Sequence, residues 1–146
     1  MFVTHNKKNM YSHTIYIRVR YAETDQMGYV YYGNYAAYYE SGRTEAIRDL
    51  GFTYKELEAT GIIMPVAGLE IKYLRPAYYD ELLKVVTSLR QLPDTKAQFH
   101  TELFNEEGKL LNAGVTTLVF VDAATRQKTM MPEVLRAKLA PYFKAH

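Results

Sequence analysis

The sequence predicts an α+β fold in which an antiparallel sheet packs against one long helix. Five residues recur at the spacing of one helical face: Tyr35, Tyr39, Gly42, Ala46 and Leu50. Five other stretches alternate apolar and polar residues, which is the period of a β-strand. Short connections containing Pro, Gly or Asp separate the later stretches and favour antiparallel neighbours. This order of elements is typical of the α+β class.

The predicted strands divide the chain into one domain and a short leading segment. They cover, in chain order, residues 14–21, 69–73, 83–90, 97–103 and 111–121. Because the connections between the last four strands are short, we expect these four to form a meander. Residues 1–13 are polar and are predicted to be a flexible tail, so that residues 14–146 form a single domain.

The long helix has recognisable signals at both ends. Asn34 is a favourable N-cap residue, so the helix is predicted to begin there. It is predicted to end at about Leu50, where Gly51 can adopt the left-handed conformation that often follows a helix. One helix cannot cover both faces of five strands, so we expect at least a dimer.

Composition excludes several classes of protein. The 146 residues carry 18 basic and 16 acidic side chains, and a net charge of +2 is too small to indicate a nucleic-acid partner. No apolar run approaches the roughly 20 residues that a membrane span needs. The absence of cysteine excludes disulfides, thiolate metal ligands and a thiol nucleophile. With no apolar leader at the start, a cytoplasmic protein is expected.

Common catalytic motifs are also absent from the sequence. It contains no G-x-S-x-G elbow, no phosphate-binding loop and no G-x-G-x-x-G fingerprint. Its four histidines lack the spacing of metal ligands. We therefore expect no metal and no separate cofactor.

One loop carries residues that suit chemistry on a carbonyl group. Asp25 offers a base or a nucleophile. The predicted helix start leaves the amides of Tyr32, Gly33 and Asn34 free to bind an anion, and Gly28 lets the backbone approach a ligand. The alternative is that Asp25 only locks its own turn, and the residues alone favour this structural interpretation.

The block TDQMGYVYYGNYAAYYESGRTE resembles the 4-hydroxybenzoyl-CoA thioesterase family of hotdog-fold acyl-CoA thioesterases, in particular its Tol-Pal-associated branch. The resemblance extends over about residues 16–132 and includes two further patterns, Y-x-x-P-x-x-x-D from Tyr73 and VD-x-x-T from Val121. Its most specific part follows the family order over these residues: Asp25, Gly28, Val30, Tyr31, Asn34, Tyr35 and Glu40.

This resemblance implies a hotdog fold, in which a five-stranded antiparallel sheet wraps around the long helix. It also implies a homodimer with the active site at the interface, and dimers that pair into tetramers. In such enzymes the aspartate matching Asp25 acts on the thioester carbonyl as nucleophile or general base, and the amide matching Tyr32 polarises the carbonyl oxygen. Many relatives in the Tol-Pal branch have histidine where this chain has Tyr32, so any role of an imidazole in positioning water is lost here.

The implied substrate is an acyl-CoA with a short-chain or aromatic acyl group, and coenzyme A is then part of the substrate. Its phosphates are expected to meet cations, for which Arg90 and Lys96 are the candidates beside the substrate-binding amides of Gly33 and Asn34. Two alternatives stay open: a thioesterase acting on acyl carrier protein, and a hotdog protein that binds acyl-CoA without turnover.

Overall fold

The computed structural model describes residues 9–143. Its strands and helices are, in chain order, β1 (Tyr11–Arg18), α1 (Tyr35–Asp49), α2 (Tyr54–Glu58), β2 (Ile62–Ile63), β3 (Val66–Tyr73), β4 (Leu82–Leu89), β5 (Lys96–Phe104), β6 (Leu110–Val119), β7 (Val121–Asp122) and α3 (Glu133–Leu139). No helix among these residues has the length and apolar character of a membrane span.

The main sheet confirms the predicted architecture. It has five antiparallel strands in the order β1-β4-β5-β6-β3, and α1 packs against it, mainly on β1 and β4. The short strands β2 and β7 form a separate two-stranded sheet. Helix α1 ends as predicted, because Leu50 follows its last turn and Gly51 has a φ of +101°.

The predicted meander is only partly correct. Strands β4, β5 and β6 are consecutive neighbours, but β3 pairs with β6 at the far edge and not with β4. The chain therefore crosses the sheet between β3 and β4. It turns away at the end of β3, where the amides of Leu74 and Arg75 both donate to the carbonyl of Leu111 at 2.9 Å. The meander prediction uses only the period of the strands and the length of the loops. These features predict the direction of a strand but not which strand it pairs with.

The predicted tail boundary is wrong at its inner end. Strand β1 begins at Tyr11, which pairs with Leu89 and is buried. The Tyr11 hydroxyl donates to the carbonyl of Ala46 at 2.8 Å, which ties the start of β1 to the last turns of α1. Because Ser12 and His13 are polar, the apolar pattern is interrupted, and the sequence does not indicate that the strand begins before them. Residues 1–8 of the predicted tail lie outside the described part of the chain.

Helix α1 packs tightly against strand β4 at Gly42. A Cβ atom added there would lie 2.5 Å from Oγ1 of Thr87 and 2.9 Å from Cγ1 of Val85. Both neighbours are buried residues of β4 with stiff β-branched side chains. The absence of a side chain at Gly42 therefore sets the distance between helix and sheet.

We predict that Gly42→Ala destabilises the fold. Alanine favours a helix interior by roughly 1 kcal/mol over glycine. Overpacking a core costs about 1–3 kcal/mol, and the upper half of that range, about 2–3 kcal/mol, applies here because Val85 and Thr87 have little room to move. We expect a net loss of about 1–2 kcal/mol in the free energy of unfolding, measured by denaturant titration.

The control is Ser41→Ala, at an exposed position one residue earlier on the same helix. It should change the free energy of unfolding by no more than about 0.5 kcal/mol. A Gly42→Ala variant as stable as this control would contradict the close approach.

Candidate active site

The loop between β1 and α1 holds Asp25 in a tight turn. The amide of Gly28 donates to the carbonyl of Asp25 at 3.0 Å, and the amide of Asp25 donates to the carbonyl of Tyr29 at 3.0 Å. Gly28 has a φ of +85°, a left-handed conformation that glycine adopts at low cost. The amide of Met27 also donates to Oδ1 of Asp25 at 2.9 Å. The turn-locking interpretation of Asp25 is therefore correct for one of its two carboxylate oxygens.

The other carboxylate oxygen of Asp25 is uncommitted. Among the described residues, Oδ2 of Asp25 takes part in no hydrogen bond or ion pair. The side chain is half-buried and borders a cleft of about 410 Å³. Asp25 also borders a second cleft, of about 760 Å³, which is lined by Tyr21, Ala22, Thr24, Gln26, Gly28 and Tyr79. Asp25 thus combines a fixed orientation with an oxygen that no other described residue engages.

The walls of this cleft are mainly apolar, and four of the lining residues are tyrosines. Besides Asp25, it is lined by Met27, Tyr29, Val30, Tyr32, Tyr35, Tyr73, Leu74, Arg75 and Pro76. Tyr35 is the deepest of the tyrosines: it is buried, its hydroxyl accepts from the amide of Ala77 at 3.3 Å, and its ring lies 5.7 Å from that of Tyr73. Burial raises the pKa of Tyr35, which keeps its hydroxyl neutral. The cleft suits an apolar or aromatic group placed next to one carboxylate.

A turn of 3₁₀ helix, Tyr32–Asn34, precedes α1 and changes which amides are free. The amides of Tyr32 and Gly33 donate no hydrogen bond within the described residues, as expected for the first positions of a helical turn. The amide of Asn34 instead donates to the carbonyl of Tyr31 at 2.9 Å. Of the three predicted donors, Tyr32 and Gly33 are available and Asn34 is not.

The prediction that Asn34 caps the helix with its side chain is also wrong. Asn34 has a helical φ of −77° and ψ of −16°, and its side chain accepts no capping hydrogen bond. Its Nδ2 donates to the carbonyl of Glu23 at 2.8 Å. Because the 3₁₀ turn extends the helix towards its N-terminus, the capping position moves to Tyr31, and Asn34 ties the turn to the preceding loop.

The ring of Tyr31 occupies the space that a side chain at Gly33 would need. A Cβ atom at Gly33 would lie 2.6 Å from Cε2 of Tyr31. The Tyr31 ring in turn lies 4.8 Å from that of Tyr32, whose side chain is 64% exposed. A side chain at position 33 would therefore require the ring of Tyr31, which is 47% exposed, to move.

The predicted site residues fall into two clefts. Asp25 and Tyr32 border the same cleft, with Gly33 next in the chain. Arg90 and Lys96 border a different cleft of about 430 Å³ at the turn between β4 and β5. The two clefts share no lining residue, so a single subunit does not bring these cations to Asp25. Arg90 is partly buried, and its Nε has no hydrogen-bond partner in the described structure.

Reasoning from the residues missed two contributors to the site. The segment from Tyr73, the last residue of β3, to Pro76 forms one wall of the cleft, which follows from the unexpected crossover after that strand. Glu23 accepts hydrogen bonds from several parts of the loop and helix. The acidic pair in Glu23-Thr24-Asp25 is the only signal in the sequence that points to Glu23. Residues 9–143 contain no group of three or more side chains able to hold a metal ion.

Comparison with known proteins relates this architecture to enzymes of one family. A profile of the thioesterase-like superfamily matches residues 19–139. The chain is 40% identical over 106 residues to a putative acyl-CoA thioesterase, YneP, of Bacillus subtilis, a match covering 73% of this chain and 77% of that protein. It is 31% identical over 122 residues to the acyl-CoA thioester hydrolase YbgC of Escherichia coli, covering 84% of this chain and 91% of that protein.

Solved structures agree with the sequence matches. A DHNA-CoA thioesterase from Staphylococcus aureus superposes with a TM-score of 0.77 at 37% identity, covering 82% of this chain and 80% of that one. The superfamily profile spans both the Asp25 loop and all of α1. The chain therefore belongs to the thioesterase-like superfamily, and its sheet and central helix are the hotdog fold.

Proposed function

We propose that this thioester hydrolase cleaves acyl-CoA in the aromatic cleft, with Asp25 acting on the thioester carbonyl. The observation that carries the proposal is the convergence of two groups on one cleft. Asp25, whose Oδ2 has no hydrogen-bond partner within residues 9–143, and Tyr32, which begins the turn with the free amides of Tyr32 and Gly33, both line it. Family membership supports the reaction type, and the names of the relatives support coenzyme A as the carrier.

A thioester needs a positioned oxygen and a donor for the developing oxyanion. Oδ2 of Asp25 either attacks the carbonyl carbon or removes a proton from a water that attacks it. The C=O bond becomes a C–O⁻ bond, which the amides of Tyr32 and Gly33 stabilise by hydrogen bonding. The C–S bond then breaks, and the thiolate of coenzyme A leaves and takes up a proton. If water attacked, the carboxylic acid is already the product; if Oδ2 attacked, the acyl group remains on Asp25 as an anhydride, which one water molecule hydrolyses to the carboxylic acid and free Asp25.

The fixed orientation of Asp25 supports this role. Because the amide of Met27 holds Oδ1 at 2.9 Å, rotation of the carboxylate is restricted and Oδ2 keeps one direction. Holding a reacting oxygen in place before the substrate binds removes part of the entropic barrier. The turn lock and the catalytic role are therefore compatible in the same side chain.

Aromatic or short acyl groups are the proposed substrates. The tyrosine rings of the cleft offer edges and faces for an aryl ring. The DHNA-CoA thioesterase from Staphylococcus aureus supports an aromatic acyl group. Within the superfamily, the residue pattern from Asp25 to Glu40 supports the narrower 4-hydroxybenzoyl-CoA thioesterase family and its Tol-Pal-associated branch.

We further propose that the complete site needs a second subunit. Strand β3 is an edge of the sheet, and all its residues except Ile71 are exposed. Unpaired edge strands with apolar residues readily pair with another chain.

One end of β3 lines the Asp25 cleft, and its middle lines a cleft shared with Arg90. Pairing along β3 would bring one subunit's Arg90 and Lys96 towards the other's acyl cleft, where they would bind the phosphates of coenzyme A. Pairing of such dimers into tetramers is part of the same proposal.

We predict that Asp25→Asn lowers kcat for acyl-CoA hydrolysis by at least about 10²-fold, since losing the carboxylate should cost no less than losing an oxyanion donor. Asparagine keeps the shape and the Oδ1 acceptor for Met27 but removes the negative charge. A panel of acyl-CoAs from acetyl to palmitoyl, with benzoyl-CoA, measures the rate and the preference together.

The control for this variant is Asp122→Asn. Oδ1 of Asp122 also locks a turn, accepting from the amides of Ala124 at 2.9 Å and Thr125 at 3.0 Å, but it lies away from the cleft. Its rate should match the wild type. Full activity of a folded Asp25→Asn variant would refute the mechanism, and acyl-CoA binding without turnover by the wild type would identify a non-catalytic binder.

We predict that position 32 contributes through its backbone. Tyr32→Pro removes the N–H group, and proline fits here because Tyr32 starts its turn and Tyr31 has the extended φ of −61° and ψ of 130° that suits a residue before proline. The expected loss in kcat is about 10²–10³-fold. Tyr32→Phe keeps the amide and should retain most activity. Equal losses in both variants would assign the role to the phenol instead.

We predict that Leu69→Lys on β3 yields monomers in size-exclusion chromatography with light scattering, because it places a charge on an exposed apolar edge. The control is Val134→Lys on α3, an equally exposed apolar position away from that edge, which should leave the assembly unchanged. A monomeric wild type would contradict the proposed dimer.

A further inference from the structure

Glu23 joins the loop to the turn through its backbone. Its carbonyl oxygen accepts two hydrogen bonds, from the amide of Tyr31 at 2.9 Å and from Nδ2 of Asn34 at 2.8 Å. Tyr31 and Asn34 flank the two residues that carry the free amides. The main chain two residues before Asp25 is therefore attached directly to both ends of the anion-binding turn.

The carboxylate of Glu23 attaches the same loop to α1 and to the end of β1. Oε1 accepts from the hydroxyl of Tyr38 at 2.9 Å and from the amide of Arg20 at 2.7 Å. The Glu23 side chain is only 16% exposed, and Tyr38 is buried in the first turns of α1. Burial, followed by the hydrogen bond to Glu23, raises the pKa of Tyr38, so its hydroxyl stays protonated and keeps donating.

These contacts make Glu23 the point at which three segments meet. Through it the exit of β1, the turn of Tyr32 and Gly33, and helix α1 are held to one short stretch of chain. Immediately afterwards, Thr24 forms an isolated bridge with Val30, and the Asp25 turn lies between them. A displacement at Glu23 would move Asp25 relative to α1 and its preceding turn.

We propose that Glu23 is a positioning residue whose carboxylate holds Asp25 in register with the amides of Tyr32 and Gly33. The inference rests on the proposed function, because it assigns the oxygen and the amides to one reaction. Glu23 lines neither of the clefts that Asp25 borders, so it acts through the loop and not on the substrate. Its effect falls on the geometry of attack, where a misplacement of about 1 Å can cost roughly 10²-fold in rate.

The kinetic test compares Glu23→Ala, Glu23→Gln and Tyr38→Phe. Glu23→Ala should lower kcat by about 10–100-fold with KM nearly unchanged, because attack geometry is lost while the cleft walls remain. Glu23→Gln keeps an Oε1 acceptor for Tyr38 and Arg20 and should recover most of the rate. Tyr38→Phe should have a smaller effect of its own and add little to Glu23→Ala, as expected for two members of one contact.

The matched control is Glu106→Ala. Oε1 of Glu106 also accepts a backbone amide from a distant part of the chain, that of Leu82 at 2.9 Å, and Glu106 lines neither of the clefts that Asp25 borders. Both alanine variants lose a carboxylate that holds backbone, so thermal stability should fall in both. Only Glu23→Ala should lose kcat when activity is normalised to folded protein.

Hydrogen exchange gives a readout that does not depend on turnover. In Glu23→Ala, the amides of Tyr31, Gly28 and Asp25 should exchange at least about 10-fold faster than in the wild type, because the loop opens locally. In Glu106→Ala they should exchange at the wild-type rate. Unchanged exchange in Glu23→Ala, or a kcat for Glu23→Gln as low as for Glu23→Ala, overturns the inference.

These outcomes separate the inference from the proposed function. If Asp25→Asn is inactive while Glu23→Ala retains full kcat, the proposed function stands and the positioning role of Glu23 fails. If the wild type hydrolyses no thioester, the proposed function fails, and the exchange rates alone decide whether Glu23 holds the loop.

Discussion

The contact of α1 with β4 at Gly42 is the constraint on which the remaining structure depends. Because no side chain separates them there, the helix lies at a fixed depth on the sheet, and its first turns reach the loop that follows β1. The stiff neighbours Val85 and Thr87 leave this depth little freedom. A helix held at its middle presents its N-terminal amides at a reproducible place, which a catalytic role for backbone donors requires.

The Asp25 turn resolves an apparent conflict between structure and chemistry. A carboxylate that accepts a backbone amide is normally explained by the turn it stabilises. Here one oxygen has that task, and the other has no hydrogen-bond partner within residues 9–143, so the turn fixes the direction of the side chain. Glu23 restricts the same loop further, since its backbone and side chain connect the turn to the helix that carries the amides. The site is built from short-range contacts that fix direction.

Periodicity predicted most of the fold, but not the contacts that assemble it. Alternation and the helical face identified all five main strands and α1, since each pattern depends only on which side of an element is buried. The position of β3 escaped prediction because pairing is chosen by a distant partner. Asn34 was misjudged because an upstream 3₁₀ turn overrode its local capping preference. Glu23 was missed because its partners lie up to 15 residues away.

The separation of the two clefts is consistent with the proposed pairing of two subunits along β3. One subunit supplies an acid, two free amides and aromatic walls, whereas its partly buried Arg90 lies beside another cleft. An acyl-CoA is long and carries its charge at the end opposite to the thioester, so its two ends make different demands on a protein surface. Strand β3 borders the acyl cleft at one end and the Arg90 cleft at its middle. It is therefore suited to bring the acyl cleft of one subunit together with the cations of the other. In that arrangement, a substrate as long as acyl-CoA requires β3 to be exposed so that two subunits can pair along it. The exposure of β3 also follows from the size of the helix, which is too small to cover the sheet.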